Sequence, residues 1–283
     1  MNTNTTMTLL ETFKPTDSAG TGVGQLIKTT FVISGQSIDF CLKVPDEPIQ
    51  ISDLVPAAQA IAEKVFAFTV ERQKQQDSPI ACRKGCSACC NYLVALSRPE
   101  IAYIRQKLSQ MDAGYQHSVL KSSVESARKI LHNSSPIHEI SQQPTPEQLS
   151  RWYASLNLSC PFLVNGVCGI YEHRPLACRE HLAAGHSNLC DNSHPGQPEI
   201  IEPPFSILEA LGQLDAELNQ SDIEAVILPL ALIETNDNDE QTEPQWNAVQ
   251  LVNRLLEIIK KKKRQYNKTI LRDSLKRKPN ACW

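Results

Sequence analysis

The chain has 283 residues, 41% of them hydrophobic, and a formal net charge of −3. That length supports a real core, in one domain with extensions or in two small ones, and the near-neutral balance argues against general nucleic-acid binding, since only the C-terminal end is clearly basic. Met1–Phe13 has neither the basic start nor the apolar run of a signal peptide, and the longest apolar stretch, 225–233, is far short of the roughly 20 residues that cross a bilayer. The expectation is a cytoplasmic protein without a membrane span.

Residues 1–26 are rich in Thr, Ser, Gly and Asn and are read as a flexible tail. Phe31 and Ile33, then Ile38, Phe40 and Leu42, alternate on either side of Ser34-Gly35-Gln36, which predicts a β-hairpin with Cys41 on its other face. Leu54, Ala58, Ile61, Val65 and Phe68 recur at helical spacing, and the polar run 71–78 ends that helix. After the first cysteines, Tyr92–Leu96 reads as a short strand. Ser97-Arg98-Pro99-Glu100 then has the form of a capping box, in which Ser and Glu satisfy each other's free amides, opening a helix through Leu108.

An amphipathic stretch covers Val119–Leu131, and Thr145-Pro146-Glu147-Gln148 repeats the capping device before Leu149, Trp152, Tyr153 and Leu156. Beyond Cys190 a turn-rich segment precedes helices predicted at Phe205–Leu218 and Trp246–Lys262, joined by the acidic loop 234–243. The fold class expected is mainly α with some β: a helical protein with a small N-terminal hairpin and a cysteine-rich site built from two loops. Its parts are a tail (1–26), a hairpin plus helix (27–78), a cysteine domain with a helical insert (79–195) and a helical C-terminal region with a basic tail (196–283).

Seven of the ten cysteines crowd into about a third of the chain. Disulfide frameworks belong to small secreted domains, so this distribution points to reduced thiols that ligate metal. Cys82, Cys86, Cys89 and Cys90 form one group; Cys86 and Cys89 are a C-x-x-C knuckle, whose turn lets two thiolates converge on one ion. Adjacent side chains such as those of Cys89 and Cys90 usually point apart, so one of the two is free for a second metal atom or lies outside the first set of ligands.

Cys160, Cys168 and Cys178 form the other group. Phe162 anchors its start, Asn165-Gly166 folds Cys168 back toward Cys160, and Pro175 starts the turn that carries Cys178. Seven thiols exceed the four that one zinc takes, which leaves room for a polynuclear centre. A thioredoxin-like redox pair would need a βαβ pattern, which is absent. Arg174 and Arg179 either offset thiolate charge and hold an anionic group of a cofactor or substrate, or pair with Glu172 and Glu180. Among His173, His181, His186 and His194, His181 is the best placed as a nitrogen ligand.

These motifs resemble the YkgJ-type cysteine-cluster family, a zinc- or iron-chelating domain named for a C-x-x-C-x-x-C-C pattern. Its counterparts are Cys82, Cys86, Cys89 and Cys90, then Cys160-Pro161-Phe162-Leu163, Cys168-Gly169-Ile170-Tyr171, Arg174-Pro175 and Cys178-Arg179. The chain departs at the first spacing, with three residues between Cys82 and Cys86. The resemblance covers about residues 80–182 and implies zinc or iron chelation. The Cys-Pro-Phe-Leu arrangement is also similar to flagellin lysine methylases, so related sites can serve the modification of a protein side chain.

No phosphate-binding loop, dinucleotide fingerprint, nucleophile elbow or zincin helix is present. The basic run Lys260–Arg264, continued by Lys268, Arg272 and Lys276–Lys278, is either a solvated helix end or a contact for an acidic partner. The function expected is binding of zinc or iron. The alternatives are an iron–sulfur enzyme acting on a protein or small molecule, and an interaction module folded by zinc.

Overall fold

The protein was described from a computed structural model, which covers residues 9–12, 24–33, 35–74, 80–133, 145–190, 198–233 and 244–276, with backbone alone for 9–12, 146–147 and 263–276. The acidic loop 234–243, His194, Cys282 and the basic side chains from position 263 onward lie outside the described residues.

Strands β2 (Gln25–Ile33) and β3 (Gln36–Val44) form the expected hairpin, with Phe31 opposite Ile38 and Gly35 at a φ of +84°, where the absent Cβ removes the steric cost. Strand β1 (Leu9–Thr12) lies parallel to the other edge of β3, pairing Leu10 with Cys41, so the segment read as a tail supplies a strand. Cys41 is buried there, on the face opposite Phe40 and Leu42.

Helix α1 (Val55–Lys74) follows a single 3-10 turn. Strand β4 (Ala95–Leu96) leads to α2 (Arg98–Ser109), whose capping box forms as expected: Glu100 Oε2 accepts from Ser97 N at 3.2 Å and from Ser97 Oγ at 2.9 Å. Helix α3 (Ala113–His132) begins six residues before the predicted Val119. Asp112 is the reason, since its carboxylate accepts from Tyr115 N at 2.9 Å and satisfies a free first-turn amide. Helix α4 (Pro146–Ser155) is capped by Thr145 and Gln148, with Gln148 Oε1 accepting from Thr145 N at 2.8 Å.

Strands β5 (Leu163–Val164) and β6 (Val167–Cys168) make a tight hairpin. Asn165 and Gly166 both have positive φ, +51° and +76°, as a two-residue turn of this hand requires. After α5 (Leu176–Glu180), β7 (Leu182–Ala184) pairs with β8 (Glu199–Ile201), and α6 (Ile207–Asn219) follows. Strand β9 (Val226–Ile227) pairs with β4, and the apolar stretch continues as α7 (Leu228–Ile233), with Pro229 in its first turn where no amide is missed. Helix α8 (Ala248–Lys276) ends the described chain.

The inner face of the sheet packs on α1, α2, α6 and α8: Phe31 lies 4.9 Å from Phe40 and meets Phe205 edge-on at 5.5 Å, with Ile61, Ile104, Leu211 and Leu255 in the same core. That core also takes in Phe162, Ile170 and Leu176 of the second cysteine segment. The hairpin, the cysteine region and the C-terminal helices therefore share one buried interior. A smaller cluster of Ile130, Tyr153 and Leu158 docks the helical insert of α3 and α4. No helix among the described residues is long and apolar enough to cross a membrane.

Candidate metal centre

The second cysteine segment is held from beneath by polar groups on α1. Gln59 and Glu63, four residues apart on one helix face, reach the loop over residues 172–174. Gln59 Nε2 donates to the carbonyl of Arg174 at 3.1 Å and to that of His173 at 3.4 Å. Arg179 completes the brace. It is 3% exposed, donates from Nε to Arg174 O at 3.0 Å and from Nη2 to Glu172 O at 2.7 Å, and pairs with Glu63.

The two acidic neighbours considered as partners for the arginines are used elsewhere. Glu172 pairs with Lys84 at 2.7 Å, which ties the second segment to the first. Glu180 caps α6, accepting from Ser206 Oγ at 2.7 Å and Leu208 N at 3.0 Å. Arg174 differs from Arg179 in what it meets: its Cζ lies 4.5 Å from the centre of the Tyr171 ring, and its buried Nε has no hydrogen-bond partner among the described residues.

The first cysteine segment docks on the strand that follows α5. Ala81 N donates to Ala183 O at 2.8 Å and Ile80 bridges to Ala184, while Ala183 N donates to Cys82 Sγ at 3.3 Å. Cys90 O accepts from Cys160 N at 2.7 Å, so the two groups, 70 residues apart in sequence (160 − 90), are joined backbone to backbone. In the second segment the amides of Phe162 and Ile170 donate to Cys160 and Cys168, each two residues back. An amide aimed at sulfur favours the charged thiolate over the thiol.

The thiols act on one another across the two segments. Burial pushes Cys160 up to about 12, with Cys168 and Cys89 adding to the rise. Cys178 is held well above the ordinary thiol value by burial first and then by Cys160, Cys89 and Cys168. Cys89 is raised mainly by its hydrogen bond with Cys90 and then by burial, and Cys82 is raised by burial, with Cys89 and Cys86 adding to it. Arg174 opposes the rise at Cys82, Cys89, Cys168 and Cys178, so its charge faces the whole group.

No described cysteine is in a disulfide. Among the described residues no group of three or more His, Cys, Asp or Glu side chains is already set to hold a metal ion. The thiols are thus gathered into one neighbourhood rather than fixed at ligating positions. The donor set is soft and sulfur-rich, which suits zinc or iron over calcium or magnesium. His181 adds a nitrogen candidate: its Nε2 is buried without a partner, burial holds its pKa below the ordinary value, and its ring meets Tyr92 edge-on at 5.3 Å. His173 is engaged with Tyr103, Nδ1 to Oη at 2.8 Å.

Residues 81–199 match the model of the CxxCxxCC family, described as "Putative zinc- or iron-chelating domain". This stretch of the chain is a cysteine-cluster domain of that family. No curated protein and no solved structure matches the chain. The cysteine-cluster domain so bounded holds both predicted groups, the helical insert between them, and one more thiol, Cys190.

Several residues of the site carried little signal in sequence. Gln59 and Glu63 interrupt an otherwise apolar helix, which could have marked them. Tyr115 had no such mark. Its hydroxyl is buried without a hydrogen-bond partner and packs over Gly169, where a Cβ would collide with it. Burial, Cys168 and Cys160 together push the Tyr115 hydroxyl up to about 12.

Proposed function

We propose that the cysteine-cluster domain binds zinc or iron through Cys82, Cys86, Cys89, Cys90, Cys160, Cys168 and Cys178, and that the metal locks together two segments that the fold has already brought side by side. The observation that carries this reading is the set of backbone amides directed at sulfur, from Ala183 to Cys82, Phe162 to Cys160 and Ile170 to Cys168. Several thiolates on a divalent ion leave excess negative charge, which such donors and Arg174 stabilise. Buried neutral thiols would have no use for them.

A second reading, an iron–sulfur enzyme, is favoured by Arg174. Its buried Nε lacks a partner and its charge faces the thiols, so it is suited to orienting a carboxylate or phosphate beside the metal, whereas Arg179 is committed to the loop. An iron–sulfur centre would supply electron transfer or Lewis acidity there. Elemental analysis and an absorption spectrum of protein purified without oxygen decide between the two. Zinc without acid-labile sulfide supports chelation of single ions. Iron with matching sulfide and a broad visible band supports the enzyme, and folded protein with no metal overturns both.

A further inference from the structure

Cys190 lies outside both cysteine groups recognised in sequence, yet it is buried against the first of them. It ends the 3-10 turn Ser187–Cys190, which packs on the 3-10 turn Ala88–Asn91 that carries Cys89 and Cys90. Its carbonyl accepts from Tyr92 Oη at 2.7 Å, which ties that turn to the residue just past the first group. The intervening chain is fixed as well, because β7 pairs with the backbone at Ile80 and Ala81, immediately before Cys82.

The neighbours of each thiol divide the cluster. Cys190 is influenced by Cys82, Cys86 and Cys89, and by none of Cys160, Cys168 and Cys178. Cys178 is influenced by Cys160 and Cys168, and Cys160 by Cys168; Cys89 acts on both sides. Cys89 is hydrogen-bonded to Cys90, whose own carbonyl holds Cys160, so this adjacent pair sits at the seam. Successive side chains diverge, which lets each of the two serve a different ion.

We infer that the centre has two compartments, one with Cys82, Cys86 and Cys190, the other with Cys160, Cys168 and Cys178, and that Cys89 and Cys90 give each its fourth sulfur. Resting on the metal-binding reading above, the inference adds Cys190 as a ligand and sets a capacity of two soft divalent ions per chain. Four thiolates satisfy one tetrahedral zinc, so eight thiols satisfy two. On loading, each ligating thiol releases its proton to solvent.

The test is a titration of reduced, metal-free full-length protein with zinc, with bound metal counted per chain. The wild type takes two equivalents, Cys190→Ser and Cys168→Ser each take one, the double variant takes none, and Cys41→Ser takes two. Two equivalents retained by Cys190→Ser, or saturation of the wild type at one, overturns the two-compartment centre while leaving metal binding intact. No zinc bound by the wild type removes metal binding itself. Because Cys190→Ser could fail to fold, wild-type protein is also alkylated with and without zinc and mapped by mass spectrometry. Zinc protects Cys190 and leaves Cys41 unaffected; equal labelling of Cys190 in the two samples overturns its role as a ligand.

Discussion

Glu100 joins the start of α2 to the start of α5: while Oε2 takes Ser97, Oε1 accepts from Leu176 N at 2.7 Å, two residues before Cys178. The side chain is fully buried, and burial raises its pKa against the lowering effect of these donors. One carboxylate thus satisfies the first-turn amides of two helices, one of which carries a proposed ligand.

Glu100→Ala should therefore cost about 2–4 kcal/mol, combining a lost cap with a buried amide left unpaired. Glu100→Gln, which keeps one acceptor oxygen, should cost about half as much. Urea unfolding checks this through a lower midpoint at unchanged slope. An alanine variant as stable as the wild type would show that α5 does not depend on this link.

The two arginines should separate under mutation. Arg179→Lys loses the planar fork that serves two carbonyls and Glu63 together, and buried acceptors left unpaired cost about 1–3 kcal/mol. Arg174→Gln gives up only a ring contact, about 0.5–1 kcal/mol. It should instead move zinc release to higher pH, because the cation that favours the thiolates is gone and protons compete better. Thermal unfolding and a pH titration of bound zinc check the pair. The opposite pattern, with Arg174 governing stability and Arg179 zinc release, would reverse the two assignments.

What was readable in the sequence was local. The capping boxes at Ser97 and Thr145, the turn at Asn165-Gly166 and the hairpin at Gly35 all depend on residues within three or four positions, and each formed. The pairings of β4 with β9, β7 with β8 and β1 with β3 involve strands of two to four residues whose partners lie far away in the chain, too short to show a period. The cysteine groups stood out because ligand spacing is itself local. Cys190 belongs to no such spacing, and only the docking of its turn on Ala88–Asn91 brings it in.

Asp215 on α6 gives a pH dependence remote from the thiols. Burial raises its carboxyl, Glu224 adds to the rise, and Arg98 and the hydrogen bond from Asn219 at 2.8 Å oppose it. With its pKa raised on folding, the native chain keeps a proton that the unfolded chain releases. The contribution to stability is full below the ordinary Asp value near 4 and is lost as pH rises through the folded value. Relative to Asp215→Asn, whose side chain does not titrate, the wild type should lose Tm as pH rises from about 4. A Tm difference that stays constant with pH would count against this.

Gly169 and Tyr115 form the last pair. The Tyr115 ring covers Gly169, and a Cβ there would also come within 2.8 Å of Cζ, so Gly169→Ala must push the ring away from Cys160 and Cys168. Displacing a packed aromatic costs about 1–3 kcal/mol. Tyr115→Ala removes the obstacle, so alanine at position 169 should cost little in the double variant. The cycle should show a favourable coupling of at least about 0.5 kcal/mol, measured by urea unfolding of all four proteins. Additive costs would mean that the ring turns aside freely, and that Gly169 is required for some other contact.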